Sequence, residues 1–159
     1  MSFTPHIKNI ANKLQTKLNV LRTLTSTSFG QHKETLTLIY KQFLRPTMNY
    51  ASTAWYPALS KTNRNKLEVL QNSALRIITG CTADTPIQHL QDETKILPIE
   101  KHLDMIGTQF YSRATNAEHP NHTLTTVPPT PRDNKETPSQ YYRHIYNSIP
   151  PPPPTTKYI

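Results

Sequence analysis

The sequence predicts an all-α fold, a small helical bundle. Apolar residues recur at steps of three and four in several segments, and this spacing places side chains on one face of an α-helix. Residues typical of helix ends, Pro57 and Gly80 among them, separate the segments. Ten of the 15 prolines lie between Pro120 and Pro154. The part able to bury a core is therefore roughly the first 118 residues, which is enough for a small bundle.

The first predicted helix extends from Pro5 to Leu24, with Thr4 as its N-cap. Thr4 is a favourable N-cap, and Pro5 suits the first helical position because its missing N–H would have no partner there. An apolar face about five turns long runs along this helix at helical spacing. It consists of Ile7, Ile10, Ala11, Leu14, Leu18, Leu21 and Leu24.

The stretch from Lys33 to Gly80 predicts two helices arranged as an antiparallel pair. We expect Pro46 to kink or divide the first of them, which ends near Pro57 because proline disfavours helix just before it. The second follows a turn at Ser60 and ends at Gly80, where a left-handed cap is expected. The predicted core of the three helices is Leu14, Leu18, Leu21, Ile39, Phe43, Trp55, Leu70, Leu75 and Ile78.

The rest of the chain predicts a shorter connector and a tail. Thr85 and Gln88 have the spacing of a capping box, and a last helix is expected from Ile99 to about Ala117. From residue 119 the helical periodicity disappears, and proline-rich stretches predict disorder. Residues 140–149 could form one helical turn on a partner. The predicted organisation is a three-helix bundle over residues 1–80, a helical connector over 81–118 and a disordered proline-rich tail over 119–159.

Charge is distributed unevenly along the chain. Residues 1–80 carry 11 basic and 2 acidic side chains, whereas residues 81–120 carry 3 and 6. A strongly basic helical region is typical of contact with a polyanion such as nucleic acid, although basic residues on amphipathic helices often form only the soluble face. The residues expected to approach phosphates are Lys8, Lys13, Lys17, Arg22, Lys61, Arg64, Lys66 and Arg76.

Patterns associated with catalysis are weak. No glycine-rich phosphate loop occurs among the three glycines, and the carboxylates are scattered, so no catalytic residue, metal site or cofactor is predicted. Cys81 is the single cysteine, which excludes an internal disulfide and fits a reducing, intracellular compartment, nuclear or cytoplasmic. No apolar run is long enough to predict a membrane span.

Four sequence strings together resemble a known family. They are YKQFLRPTMNYASTAWYP from Tyr40, KLEVLQNSALRIITGC from Lys66, TPIQHLQDETKILPI from Thr85 and HPNHTLTTVPPTPR from His119. This combination resembles the region that follows the palm in reverse transcriptases of non-LTR retrotransposons of the Jockey and related groups. The opening HIKNIANKLQTKLNVLRTL also fits the first thumb helix of that family.

The resemblance implies a helical thumb followed by a connector, which would grip a template–primer duplex beside the palm without reading its sequence. The chain has no counterpart of the fingers, the palm aspartates or the endonuclease. It is thus expected to be a truncated, non-catalytic fragment of an RNA-directed DNA polymerase, with the palm as a possible partner in another chain. Two alternatives remain open: a helical protein-interaction module, and a non-functional remnant of a retroelement.

Overall fold

The computed structural model describes residues 3–25, 30–126 and 137–150. Within these ranges the chain forms helices and no strand, which confirms the all-α prediction. The residues divide into two compact units, Met1–Leu103 and Asp104–Ile159. The helices are α1 Thr4–Leu24, α2 Lys33–Ile39, α3 Arg45–Asn49, α4 Ser52–Trp55, α5 Lys61–Thr79, α6 Ile87–Thr94, α7 Ile99–Ala114, α8 His122–Thr126 and α9 Pro138–Ser148, with a π-helical turn Tyr40–Leu44 between α2 and α3.

The first unit is built on the packing of α1 against α5. The Nδ2 amide of Asn63 donates to Oγ1 of Thr4 over 3.4 Å, so the two helices begin at the same end of the unit. The helix that runs from α2 through the π turn into α3 packs against α1, and its α2 part also packs against α5. Most of the predicted core is buried: Leu14, Leu18, Leu21, Trp55, Leu75 and Ile78.

Pro46 divides the second predicted helix through the π turn. Proline has no N–H to donate, and just before it the N–H of Arg45 donates to the carbonyl of Tyr40, five residues back instead of four. The extra residue changes which side chains face inward. Phe43, predicted in the core, is 42% exposed. The buried residues of this segment are Leu36, Tyr40, Leu44 and Met48.

Helix ends follow the sequence signals in part. Ser60 caps α5 by accepting from the N–H of Asn63, and Gly80 ends this helix in the left-handed conformation, as predicted. The predicted N-cap at Thr4 is wrong, because α1 already includes Thr4 and is preceded by Phe3. The capping box predicted at Thr85 does not form, since α6 starts at Ile87 with Pro86 as its N-cap.

The first unit continues past residue 80 because α6 and the segment after it are tied to the bundle. The hydroxyl of Tyr40 donates to Oε1 of Gln71 (3.1 Å), whose Nε2 donates to the carbonyl of Leu97 (2.8 Å). Lys33 and Glu93 form an ion pair at 3.0 Å. The first compact unit ends after Leu103. The boundaries at 80 and 118 expected from charge and proline content stay a prediction.

The second unit contains a helix inside the predicted disordered tail. Thr137 and Gln140 form a capping box that starts α9, and Tyr142 of α9 is 2% exposed. Its ring lies against Gly107 of α7: a Cβ placed on that glycine would sit 2.0 Å from Cε1 of Tyr142. The prediction of disorder is thus not met for α9, because aromatic burial offsets the cost of ordering. The proline-rich residues 127–136 and 151–159 lie outside the described residues.

Candidate nucleic-acid interface

The outward face of α1 is exposed, free of acidic residues and mostly polar, with Val20 (45% exposed) as an apolar residue within it. With about 100° per residue, the residues opposite its buried stripe form a continuous surface, which we call the α1 ridge. From Lys8 to Arg22 it is roughly 21 Å long at 1.5 Å per residue. The ridge consists of the exposed residues Lys8, Asn9, Asn12, Lys13, Thr16, Asn19 and Arg22.

The cations of the ridge lie on both of its edges. Lys8 and Arg22 are on one flank of the buried stripe, and Lys13 is on the opposite flank. Arg22 donates to Oδ1 of Asn19 over 2.7 Å, which orients its guanidinium along the ridge. Amides and hydroxyls lie between the cations, and such groups contact phosphates and sugars in protein–nucleic acid complexes.

Lys17, predicted to approach phosphates, is held inside the unit. Its Nζ donates to the carbonyl oxygen of Phe43 at 2.6 Å and to Oγ1 of Thr47 at 2.7 Å. The same ammonium lies 4.4 Å from the centroid of the Phe43 ring. Lys17 therefore links α1 to the π turn and α3, and its charge is directed inward.

The three cations near the start of α5 lie in different surroundings. Arg64 stacks on Tyr56 at 4.7 Å, donates to the Pro57 carbonyl at 3.2 Å and lies 3.7 Å from Glu100. Lys61 lines the same cleft of about 340 Å³, which Glu68 and Glu100 also line. These carboxylates offset the positive potential there.

Lys66 is exposed on the flank of α5 opposite to the one that carries Lys61 and Arg64. Because α1 and α5 begin at the same end, this flank lies on the same side of the pair as Lys8 and Arg22, away from α3 and α4. Arg76 is half-buried at the far end of α5, where its Nη2 donates to the Ala83 carbonyl at 3.2 Å. The structure thus brings Lys8, Arg22 and Lys66 to one side and sets Arg76 apart.

A partly buried polar cluster joins the π turn and α3 to the start of α7. Burial raises the pKa of the Tyr40 hydroxyl and lowers the pKa of the Arg45 guanidinium. Burial and the nearby Arg45 charge lower the pKa of His102 to about 4, and its Nε2 lies 3.2 Å from Oδ1 of Asn49. His102 is therefore neutral in the folded state at physiological pH, and the cluster is structural.

Other features of the described residues carry no reactive constellation. In residues 3–25, 30–126 and 137–150, no three His, Cys, Asp or Glu side chains converge as metal ligands would. Cys81 is a free, half-buried thiol. None of the helices in these ranges is both long and apolar enough to cross a membrane.

The sequence prediction named the cations of α1 but not the polar residues between them. Asn9, Asn12, Thr16 and Asn19 were detectable, because they recur at steps of three and four opposite the apolar stripe. It also missed Tyr50, whose side chain is 78% exposed. No periodicity marks Tyr50, because it lies in the turn between α3 and α4.

Two curated transposon polymerases are similar to this chain in sequence. The chain is 33% identical over 86 residues to the probable RNA-directed DNA polymerase from transposon BS of Drosophila melanogaster, covering 51% of this chain and 9% of that protein. It is 23% identical over 113 residues to the probable RNA-directed DNA polymerase from transposon X-element of the same organism, covering 71% of this chain and 12% of that protein. The chain is similar to a region of transposon RNA-directed DNA polymerases.

The chain spans about a tenth of the length of these two polymerases. No family model matches it. No solved structure matches it either.

Proposed function

We propose that the first unit is a thumb-like part of a Jockey-like retrotransposon reverse transcriptase, which holds template–primer nucleic acid through its sugar–phosphate backbone. The relationship to transposon RNA-directed DNA polymerases supports the choice of ligand. In this proposal nucleotide transfer takes place in a separate palm, in the same or another chain. In this proposal the first unit binds the nucleic acid and contributes no catalytic group.

The α1 ridge is the observation that carries the proposal. It presents three exposed cations, Lys8, Lys13 and Arg22, over roughly 21 Å of helix without an acidic side chain. Duplex phosphates attract such a surface whatever the base sequence, because releasing their counterions favours binding. Lys66 adds a fourth cation on the side of Lys8 and Arg22.

The other predicted cations have secondary roles in this proposal. Lys17 is bound to Phe43 and Thr47, and Arg64 contacts Tyr56 and Glu100, so both stabilise the surface from within. Lys61 shares its cleft with two carboxylates. Arg76 is anchored to the loop after α5.

A protein-docking function has one specific observation in its favour. Val69 is 63% exposed on the outer flank of α5, with the half-buried Leu70 and Ile77 on the same flank. Apolar residues of this kind suit contact with a palm, so docking would accompany nucleic-acid binding and does not replace it.

The test is a titration of the chain with labelled RNA–DNA duplex, DNA duplex and heparin at several salt concentrations. With about four phosphates neutralised, log affinity for duplex should fall with log salt at a slope of roughly −3 to −4. The triple variant Lys8→Gln, Lys13→Gln, Arg22→Gln should reduce the magnitude of that slope by roughly 2 to 3.

A charge-matched control separates the ridge from general electrostatic attraction. Lys41, Lys95 and Lys101 are exposed lysines outside α1, and changing all three to Gln removes the same charge. This control should leave the slope nearly unchanged. Equal effects of the two triple variants, or tighter binding to heparin than to either duplex, would contradict the proposal.

A further inference from the structure

Tyr50 presents an exposed aromatic ring on a fixed backbone. Its side chain is 78% exposed. Its N–H donates to the Pro46 carbonyl at 3.1 Å, and its own carbonyl accepts from the indole Nε1 of Trp55 at 2.9 Å. Trp55 is 2% exposed, so this second bond ties the turn to the core. The ring is therefore presented to solvent from a backbone fixed on both sides.

The residue after Tyr50 holds the turn in a strained conformation. Ala51 has φ 51° and ψ 23°, the left-handed region that a side chain disfavours by roughly 1–2 kcal/mol. Strain of this kind persists only where the surrounding structure imposes it, and it recurs at binding sites. Here it interrupts the helix between α3 and α4 and leaves Tyr50 exposed at the break.

Two contacts place Tyr50 beside the Lys13 edge of the α1 ridge. Lys17 binds Thr47, three residues before Tyr50, and His6 packs edge-on against Trp55 with ring centroids 5.5 Å apart, five residues after it. Lys13 lies between His6 and Lys17 on the same flank of α1. The turn bearing Tyr50 thus spans the stretch of α1 that carries Lys13.

The positive charge of the sequence around Tyr50 and of α1 indicates which ligand would bind there. No acidic residue lies between Glu34 and Glu68 in the sequence, and α1 contains none. An aromatic ring beside a lysine in a basic region is the combination that binds single-stranded nucleic acid, in which bases stack and phosphates are neutralised.

We propose that Tyr50 and Lys13 form a binding site for an unpaired nucleotide, with the base stacked on the Tyr50 ring and its phosphate near the Lys13 ammonium. This inference rests on the proposed nucleic-acid function and deepens it. The duplex lies along the α1 ridge, and a single-stranded extension crosses the Lys13 edge onto Tyr50.

The experiment compares three labelled probes: a blunt RNA–DNA duplex, the same duplex with a five-nucleotide single-stranded extension, and a single-stranded oligonucleotide. The wild-type chain should bind the extended duplex more tightly than the blunt one. Tyr50→Ala should weaken binding to the extended duplex by about 5- to 100-fold and leave blunt-duplex binding unchanged. Tyr50→Phe keeps the ring and should retain most of the affinity.

Two controls test whether the variant is folded and whether the effect is specific to Tyr50. Trp55 is the single tryptophan, so an unchanged emission spectrum in Tyr50→Ala shows that the turn is intact. Leu38→Ala removes an exposed apolar side chain from α2 and should affect none of the three probes.

The outcomes separate this inference from the proposed function. Equal wild-type affinity for blunt and extended duplex, unaffected by Tyr50→Ala, overturns the nucleotide site and leaves duplex binding standing. Equal weakening on both duplexes also overturns it, because Tyr50 then acts on the fold. Failure of the wild-type chain to bind any of the three probes overturns both proposals.

Discussion

The ammonium group of Lys17 lies 2.6 Å from the carbonyl oxygen of Phe43. The contact joins α1 to the π turn, where the regular helical hydrogen bonding is interrupted. A charged donor there satisfies a carbonyl within the irregular segment, and hydrogen bonds to charged groups contribute more than neutral ones. Lys17 thus has a structural role, whereas Lys8 and Lys13 on the same helix are exposed.

Lys17→Met should lower the free energy of unfolding by about 1–2 kcal/mol, because it removes both hydrogen bonds while keeping the aliphatic stem. Urea denaturation followed by Trp55 emission measures this change. Lys13→Met is the matched control, since it removes the same charge from the same flank of α1. It should alter stability by less than about 0.5 kcal/mol. Similar destabilisation by both variants would show that the Lys17 contacts contribute nothing specific.

Gly107→Ala should destabilise the second unit, contrary to the usual effect in a helix. Alanine normally stabilises a helix by about 1 kcal/mol relative to glycine. Here the added Cβ would lie 2.0 Å from Cε1 of Tyr142, so α9 must shift away from α7. Faster hydrogen exchange of the α9 amides is the expected observation.

The same Gly107→Ala substitution should have the opposite effect on hydrogen exchange when it is made in the Tyr142→Ala variant. In Tyr142→Ala the ring is absent, so adding Gly107→Ala should slow exchange in α7 through its better helix propensity. If the alanine acts in the same direction with and without the ring, the close packing of Gly107 and Tyr142 is not the reason for the glycine.

The helical faces of α1 and α5 followed from sequence because both keep the regular period of 3.6 residues. The π turn was missed although its signal is present: Leu36, Tyr40, Leu44 and Met48 recur every four residues. That spacing drifts around a regular α-helix, and an extra residue in one turn restores the alignment. A strict four-residue repeat that continues across a proline therefore predicts a π turn better than a simple kink.

Two of the three threonine–proline helix starts, those with glutamine at the third position, show that a local sequence signal does not by itself decide whether a capping box forms. Thr85 and Thr137 are each followed by proline and then, at the third position, by glutamine, yet only Thr137 forms the capping box. In α9 the helix is held by Tyr142 against Gly107 and by Arg143, which donates to the Tyr111 hydroxyl at 3.0 Å. These contacts are tertiary, so the sequence pattern could not distinguish the two sites.

The candidate interface, like the helix starts, was only partly predictable from the sequence. The cations of α1 follow from its amphipathic pattern, since side chains off the apolar stripe must reach solvent. That Lys17 turns inward depends on where Phe43 and Thr47 lie, which only the packing of α3 on α1 decides. The charges along a helix thus predict that it has a basic face, but they do not predict which of its cations are exposed on that face.

Ala51→Gly should stabilise the first unit by about 0.5–1 kcal/mol. Glycine adopts φ 51° without the steric cost that alanine incurs, and this gain exceeds its larger loss of backbone entropy on folding. Ala54→Gly, three residues later within α4, is the control and should destabilise by up to about 1 kcal/mol. Opposite signs in urea denaturation are expected, and destabilisation by both variants would contradict the strain assigned to Ala51.

The buried His102 should make stability depend on pH in a defined window. Its pKa falls from an ordinary value of 6.5 to about 4 in the folded state, because burial and the Arg45 charge disfavour protonation. Between these values the unfolded chain binds a proton that the folded chain does not, so stability falls as the pH is lowered from about 6.5 to about 4. Above this window the imidazole is neutral in both states, and below it both are protonated.

The size of the effect follows from the same shift. Each pKa unit corresponds to about 1.4 kcal/mol, so His102 should account for about 2–3 kcal/mol of lost stability across the window. His102→Gln retains an amide donor towards Asn49 and cannot titrate, so it isolates this contribution from the other six histidines. The difference in unfolding free energy between wild type and variant should shrink or reverse in favour of the variant as the pH falls. A constant difference from pH 7 to pH 4 would show that His102 is protonated equally readily in the folded and unfolded chains.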